Sequence, residues 1–553
     1  MSHSFDNEIF PEIRQGGFLH LCEALEHAAR SDSALTFFDG TGKIKASLTY
    51  RTLLEKAHAG AAYLQSKGLR EGDRLVLVAD TSSEFIIAFF ACQYIGVIPC
   101  PIPPLTHAGD LTTARRLLGG WMMNAQTRWI ACSTSMAMMV NMATKEIQAL
   151  SLGKIAAAPH RPYNVILPTS GSVAYVQFSS GSTSFPKGII VTQQALMTNV
   201  DDIARFGLQV TQEDRGFNWL PLHHDMGMVG FCIVPMCCQR PVDYIEPHVF
   251  AGNPGLWIEL MSQRRSTIVF APSFAWGMAA DRMGNTKKVD LSALRIAGIG
   301  GDLIKHADLD RFCDRFSASG FRRESFIPCY GLAEATLAVS ISPMGSLEAI
   351  PDHADRSSDQ RVACGPPLPS VEISIRDHLG QPVPDGVHGH LWIRGKSVAT
   401  TSLTGWLPLD ADGFLDTGDV ASLQHGGLCI SGRSKELIII RGRNIWPQDV
   451  EELFLSITAL PATRVCCFGI EKEGIERIFL LVQGEKDLDA VLVQEAREQI
   501  TMTFGSAPTL LVVPDNSLPF TTSGKLSRQR ARNRYLNGKI TPLRAPSLES
   551  HHE

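Results

Sequence analysis

The sequence predicts an α/β protein: a large N-terminal domain of layered α/β subdomains carrying a small β-rich subdomain, followed by a small α+β C-terminal domain. Three observations predict it. Helical and strand periodicities alternate from residue 18 to about 300; short alternating strands bounded by Gly and Pro follow after about 365; and a compact helix–strand segment begins near 433. At 553 residues the chain also exceeds what one core organises, so two or three domains are expected.

Taken in order, residues 18–29 read as a helix, 34–38 and 46–49 as strands, and 50–67 as a long amphipathic helix. Residues 74–78, all but the first apolar, read as a buried strand, 85–95 as a helix and 97–100 as a strand. The rhythm continues through strands at 129–131, 267–270 and 295–299, which argues for largely parallel sheets. Strands at 371–376 and 390–394 mark the β-rich subdomain, about 365–432. Beyond it come a helix at 447–457, strands at 464–469 and 478–483, a helix at 487–504 and a strand at 509–514. The expected domains are therefore 1–433 and 434–536, with 537–553 a polar, flexible tail.

Composition excludes several classes. The chain is 44% hydrophobic and 19% charged with a formal net charge of -5, so no overall basic field attracts nucleic acid. The start, Met1-Ser2-His3-Ser4, lacks a basic and apolar leader, and no uncharged run approaches the roughly 20 residues of a membrane span. Thirteen scattered cysteines without a CxxC pair fit a reducing, cytoplasmic setting.

Chemistry concentrates in one loop. Ser179-Ser180-Gly181-Ser182-Thr183-Ser184-Phe185-Pro186-Lys187-Gly188 follows the strand-like run 174–178. Glycines let backbone N–H groups approach an anion, hydroxyls add donors, and Lys187 adds charge. The loop is a candidate triphosphate cradle, though not a Walker loop, because GxxxxGK[ST] is absent. Six further segments follow: 219–230 (WLPLHHDMGMVG), Gly300-Gly301-Asp302, 329–336 (CYGLAEAT), Asp416-Thr417-Gly418-Asp419, 432–438 (GRSKELI) and 519–525 (PFTTSGK).

These seven motifs, in this order and over nearly the whole chain, resemble the adenylate-forming superfamily, and the phrases SGSTSFPKG, CYGLAEATLAVS and GRSKELIIIRGRNIWPQDVE resemble its fatty acyl-AMP ligases. The resemblance implies ATP-dependent activation of a fatty acid to its adenylate. The acyl group then passes to the phosphopantetheine thiol of a separate acyl carrier protein. It also implies a large adenylation domain and a mobile small domain.

Residue by residue, the resemblance implies that Ser180, Gly181, Ser182, Thr183 and Lys187 hold the β- and γ-phosphates. Tyr330, with Gly331, would stack on adenine, and Gly300, Gly301 and Asp302 would border the base. Asp419 and Arg433 would bind the ribose, and Glu334 would hold Mg²⁺, which favours few protein carboxylates beside phosphate oxygens. Lys525 is the expected main catalytic residue, its ammonium bridging the substrate carboxylate and the α-phosphate. Lys435 takes the hinge position. His223-His224-Asp225 would wall the acyl pocket from the nucleotide, with His224 near the carboxylate and catalytic. Trp219, Met226, Gly227, Met228, Phe274 and Trp276 would line the pocket.

One departure bears on the acceptor. The family's usual insertion after the YGLAEAT motif is short and polar in this chain, between Leu337 and Ala363. Two other readings stand beside the first: an acyl- or aryl-CoA synthetase of the same fold, and a non-catalytic binding protein. Retention of Thr183, Glu334, Asp419, Arg433 and Lys525 together argues against the latter.

Overall fold

The computed structural model describes residues 14–543 apart from 105–110, 145, 180–185, 285–287, 350–361, 425, 441–442, 473–474, 485–487 and 521–525. An eight-stranded sheet forms the centre. Its order is Ala338–Ile341, Phe326–Gly331, Ile296–Ile299, Ile268–Ala271, Gly216–Asn218, Val242–Tyr244, Ala34–Phe38 and Ile44–Thr49. The six inner strands are parallel; the two edges pair antiparallel.

Beside it lies a four-stranded parallel sheet, Ile98–Ile102, Arg74–Val78, Trp129–Cys132 and Gln148–Ser151. Four of the five Arg74–Val78 residues are buried, as the apolar run required. The helix Ser83–Gln93 is capped by Ser82, whose side chain accepts from the Phe85 N–H, and is buried continuously from Phe85 to Gln93. Such a helix is apolar all round because it is packed all round. Strand Ile98–Ile102 carries Pro99 and Pro101, and it sits at a sheet edge, where missing N–H donors are tolerated.

The β-rich unit is a four-stranded antiparallel sheet, Val371–Arg376, Gly389–Gly395, Leu415–Gln424 and Gly427–Arg433. Immediately after Arg433 a 3-10 helix, Ser434–Glu436, leads into the small C-terminal domain. There a three-stranded sheet (Val465–Lys472, Ile475–Gln483, Thr509–Val513) packs with helices Pro447–Thr458, Ala490–Phe504 and Arg528–Leu536.

The segment expected as a flexible tail from 537 is corrected as far as 543. Ile540 is buried with Cys466, Phe468 and Ala531, and the Leu543 N–H donates to Val512 O at 2.8 Å. One apolar residue in a polar stretch is enough to anchor it. No helix among the described residues is long and apolar enough to cross a membrane.

Candidate functional site

The parallel strands aim their C-terminal ends at one place, the end at which open α/β sheets bind ligands. Strand Ile296–Ile299 delivers Gly300, Gly301 and Asp302; its neighbour Phe326–Gly331 delivers Tyr330 and Gly331; Gly216–Asn218 leads to Trp219 and the histidines; Ile268–Ala271 leads to Phe274. Backbones approach closely here. A Cβ on Gly331 would lie 1.8 Å from Leu337 O, one on Gly300 2.7 Å from Cys329 Sγ, and one on Gly227 2.2 Å from Pro221 O. Gly301 has φ +82, which side chains disfavour.

Tyr330, Asp419 and Arg433 form one knot. Asp419 and Arg433 face each other across an antiparallel pair. Arg433 Nε donates to Asp419 Oδ1 at 2.8 Å, and Tyr330 Oη donates to Asp419 Oδ2 at 2.5 Å. Burial raises the Asp419 carboxyl, against the pull of Arg433 and Tyr330. Burial, then the Asp419 charge, pushes the Tyr330 phenol well up. Each carboxylate oxygen keeps a second acceptor site, so Asp419 is positioned and not exhausted.

Glu334 lies on a 3-10 turn, Ala333–Ala335, between Phe326–Gly331 and Ala338–Ile341. Burial raises its carboxyl; its own backbone N–H, Arg433 and Lys187 oppose this, and Asp225 adds to it. Arg433, Lys187 and Asp225 are thus near enough for their charges to act on Glu334. Lys187 opens the strand Lys187–Thr192 and pairs with Ser179, the last residue of the antiparallel strand Val173–Ser179. Ser180, Gly181, Ser182 and Thr183 themselves lie outside the described residues, as does Lys525.

The two histidines diverge. His224 Nδ1 meets Asp225 Oδ1 at 2.6 Å. The same carboxylate oxygen accepts from the Met226 N–H at 2.7 Å, at the start of the short helix that follows. His223 is buried, neither ring nitrogen has a hydrogen-bond partner among the described residues, and burial with His224 nearby lowers its pKa to about 3. No group of three or more His, Cys, Asp or Glu able to hold a metal occurs among the described residues.

Of the expected acyl-pocket residues, Trp219 stacks on Phe250 with ring centroids 3.8 Å apart. Met226 and Met228 are buried. Phe274 packs at the core margin, and Trp276 is fully buried against Trp257, Phe312 and Phe326.

On the small-domain side, Lys435 sits in the 3-10 helix Ser434–Glu436. Ser434 Oγ donates to Gly418 O, and Gln448 Nε2 donates to Ser431 O, so the junction is bonded from both directions. Arg528 gives Nη1 to Glu436 at 3.0 Å and both Nε and Nη2 to Glu451, at 2.9 and 2.7 Å.

Sequence reasoning missed several supporting residues. Gln177 is buried and donates to His223 O at 2.8 Å. Asn199 is fully buried and bonds both the N–H and the carbonyl of Ala338. Arg528 follows the SGK segment by three residues. Polar residues inside apolar runs were the available signal for Gln177 and Asn199.

Comparison with known proteins agrees with this geometry. The family model described as AMP-binding enzyme matches residues 25–403. A putative acyl-CoA synthetase of Caulobacter vibrioides is 34% identical, over 95% of this chain and 97% of its own length. The medium-chain-fatty-acid–[acyl-carrier-protein] ligase JamA of Moorena producens is 30% identical, over 94% of this chain and 95% of its own. A solved structure from studies of fatty acyl-adenylate ligases of E. coli and L. pneumophila superposes with TM-score 0.88 at 35% identity, covering 95% of this chain and 99% of that one. On the family match, and on relatives of this identity along nearly the whole length, the chain belongs to the AMP-binding enzymes of the adenylate-forming superfamily.

Proposed function

We propose that this enzyme activates a fatty acid with ATP and passes the acyl group to the phosphopantetheine thiol of an acyl carrier protein. The observation that supports the first step is the Tyr330–Asp419–Arg433 knot, a ring, a carboxylate and a cation bonded together, with Arg433 and Lys187 both acting on the charge of Glu334. A carboxylate oxygen of the acid attacks the α-phosphorus; the bond from that phosphorus to the bridging oxygen breaks, and pyrophosphate leaves. Both reactants are anions, so catalysis rests on positioning and charge. In this reading Ser180 to Thr183 and Lys187 hold the outer phosphates, Tyr330 stacks on adenine, Asp419 and Arg433 hold the ribose, and Lys525 bridges carboxylate and phosphate. In the second step the thiol sulfur attacks the acyl carbonyl, AMP leaves, and the thiol proton is lost.

Glu334 alone is a fitting donor for a Mg²⁺ shared with phosphate oxygens, because that ion takes one or two carboxylates and fills its sphere with phosphate and water. Bound there, it would offset charge on the polyphosphate. Arg433 and Lys187, which oppose the burial of Glu334, also help keep its carboxylate ionised for this role.

The acyl and carrier assignment is supported by the similarity to JamA, a medium-chain-fatty-acid–[acyl-carrier-protein] ligase, and to the fatty acyl-adenylate ligase structure. The acyl-CoA synthetase description of the Caulobacter relative favours CoA as a second reading. The test is incubation with ATP, Mg²⁺ and a panel of short- to long-chain acids, following acyl-AMP by mass spectrometry with CoA or a phosphopantetheinylated carrier added in parallel. Transfer to carrier alone is the expected result. Rapid acyl-CoA formation overturns the acceptor, and absence of any acyl-AMP overturns the activity.

A further inference from the structure

The loop 332–337 contains a backbone conformation that the chemistry described so far does not use. Thr336 has φ +71 and ψ -57, and the Leu337 N–H donates to Ala335 O at 2.9 Å. That is a γ-turn of the positive-φ hand, which is strained for any side chain and more so for a β-branched one. Strain of this kind persists only where the surroundings over-determine it.

The surroundings do so here. Thr336 is 1% exposed and its hydroxyl donates to Ser397 O at 2.8 Å. The Ala399 N–H donates to Glu334 O at 2.7 Å, from the same segment that follows strand Gly389–Gly395. Asn199 grips Ala338 on the far side at 2.8 and 3.0 Å. Gly331 lets Leu337 O fold back against the strand. The bond from Ala399 lands on the carbonyl of Glu334 itself, and the bond to Ser397 leaves from Thr336, two residues further along the loop.

We propose that Thr336 is a positioning residue. Its strained turn, locked by the bond to Ser397 O, sets where the Glu334 carboxylate meets the metal–nucleotide. This rests on the reading of Glu334 as the metal-holding residue. The segment after strand Gly389–Gly395 thereby takes part in the site through two backbone groups, the Ser397 carbonyl and the Ala399 N–H.

The experiment measures Mn²⁺ held by the full chain in the presence of a non-hydrolysable ATP analogue, by water-proton relaxation, which separates protein-bound from nucleotide-bound ion. Thr336→Val keeps the shape and removes the hydroxyl; Thr336→Gly removes strain and hydroxyl and suits positive φ; Thr336→Ser keeps the hydroxyl. We expect Val and Gly each to weaken Mn²⁺ binding about tenfold, the scale on which supporting groups act on metal ligands, and Ser to stay within about twofold. Glu334→Gln runs alongside and is expected to weaken binding at least as much.

If Glu334→Gln weakens binding and Thr336→Gly does not, the positioning role is overturned while the metal reading stands. If Glu334→Gln leaves binding unchanged, both fall. Should Thr336→Val fail to fold, the glycine and serine variants decide alone, since glycine adopts this turn without strain.

Discussion

Loop 332–337 in the large domain and the Arg528 centre in the small domain are both firmly held, but by different means. The loop is fixed by neutral groups: Asn199, the Thr336 hydroxyl and the Ala399 N–H. Beside it, the charges of Lys187 and Arg433 act on Glu334, and Arg433 is paired with Asp419. In the small domain the charges are consumed internally, with Arg528 divided between Glu436 and Glu451. Glu451 also accepts from Cys467 N at 2.8 Å, so strand, helix and junction meet on one carboxylate. A site that binds a polyanion keeps its charges available and builds its scaffold from amides and hydroxyls. The small domain spends its charges on its own rigidity.

The strongest way to break this contrast is Arg528→Ala. Glu451 is 5% exposed and would be left as an uncompensated buried charge, at a cost of about 3–5 kcal/mol. Urea unfolding should show a transition shifted to markedly lower denaturant. An unmoved midpoint would mean that packing, and not the ion cluster, holds the small domain.

Lys525→Ala comes next and sharpens the other half. Removing a charge aimed at the reacting groups typically costs about 10²–10³ in rate. ATP–pyrophosphate exchange should fall on that scale, with ATP binding and unfolding midpoint near wild type. Normal exchange would remove Lys525 from the catalytic role.

The smallest effect concerns His223. Its folded pKa is lowered to about 3, while an unfolded histidine titrates at about 6.5. Below that value the unfolded chain binds a proton that the folded chain refuses. Stability is therefore fully present above roughly pH 6.5 and lost on acidification toward 3, by about 1.4 kcal/mol per pH unit inside the window. Burial raises Glu334 and Asp419, which act in the opposite sense as carboxylates, so the comparison must be with His223→Gln. Its unfolding midpoint should fall less steeply between pH 6.5 and 5; equal slopes would show that the ring protonates freely in the folded state.

Much of the architecture was legible because parallel, fully buried strands such as Arg74–Val78 leave unbroken apolar runs. Strand order was not, since the central position of Gly216–Asn218 depends on long-range pairing that three residues cannot announce. Tyr330, Glu334, Asp419 and Arg433 were singled out through ordered motifs, and the structure bonds Tyr330 and Arg433 to Asp419. Thr336 stood inside a motif without a role, because residue type alone does not reveal a positive φ. Arg528 and Glu451 were invisible for a related reason: their partnership spans 77 positions and carries no spacing signature.

The bond from the Leu543 N–H to Val512 O has a practical side. Strand Thr509–Val513 is the outermost of its sheet, and an uncovered edge of that kind invites pairing with another chain. The final polar stretch thus acts as a shield against self-association, with Ile540 as the pin that keeps it in place. Trimming the protein at 537, where the sequence turns polar, would strip that shield and favour precipitation, whereas a purification handle attached beyond 543 leaves the edge covered.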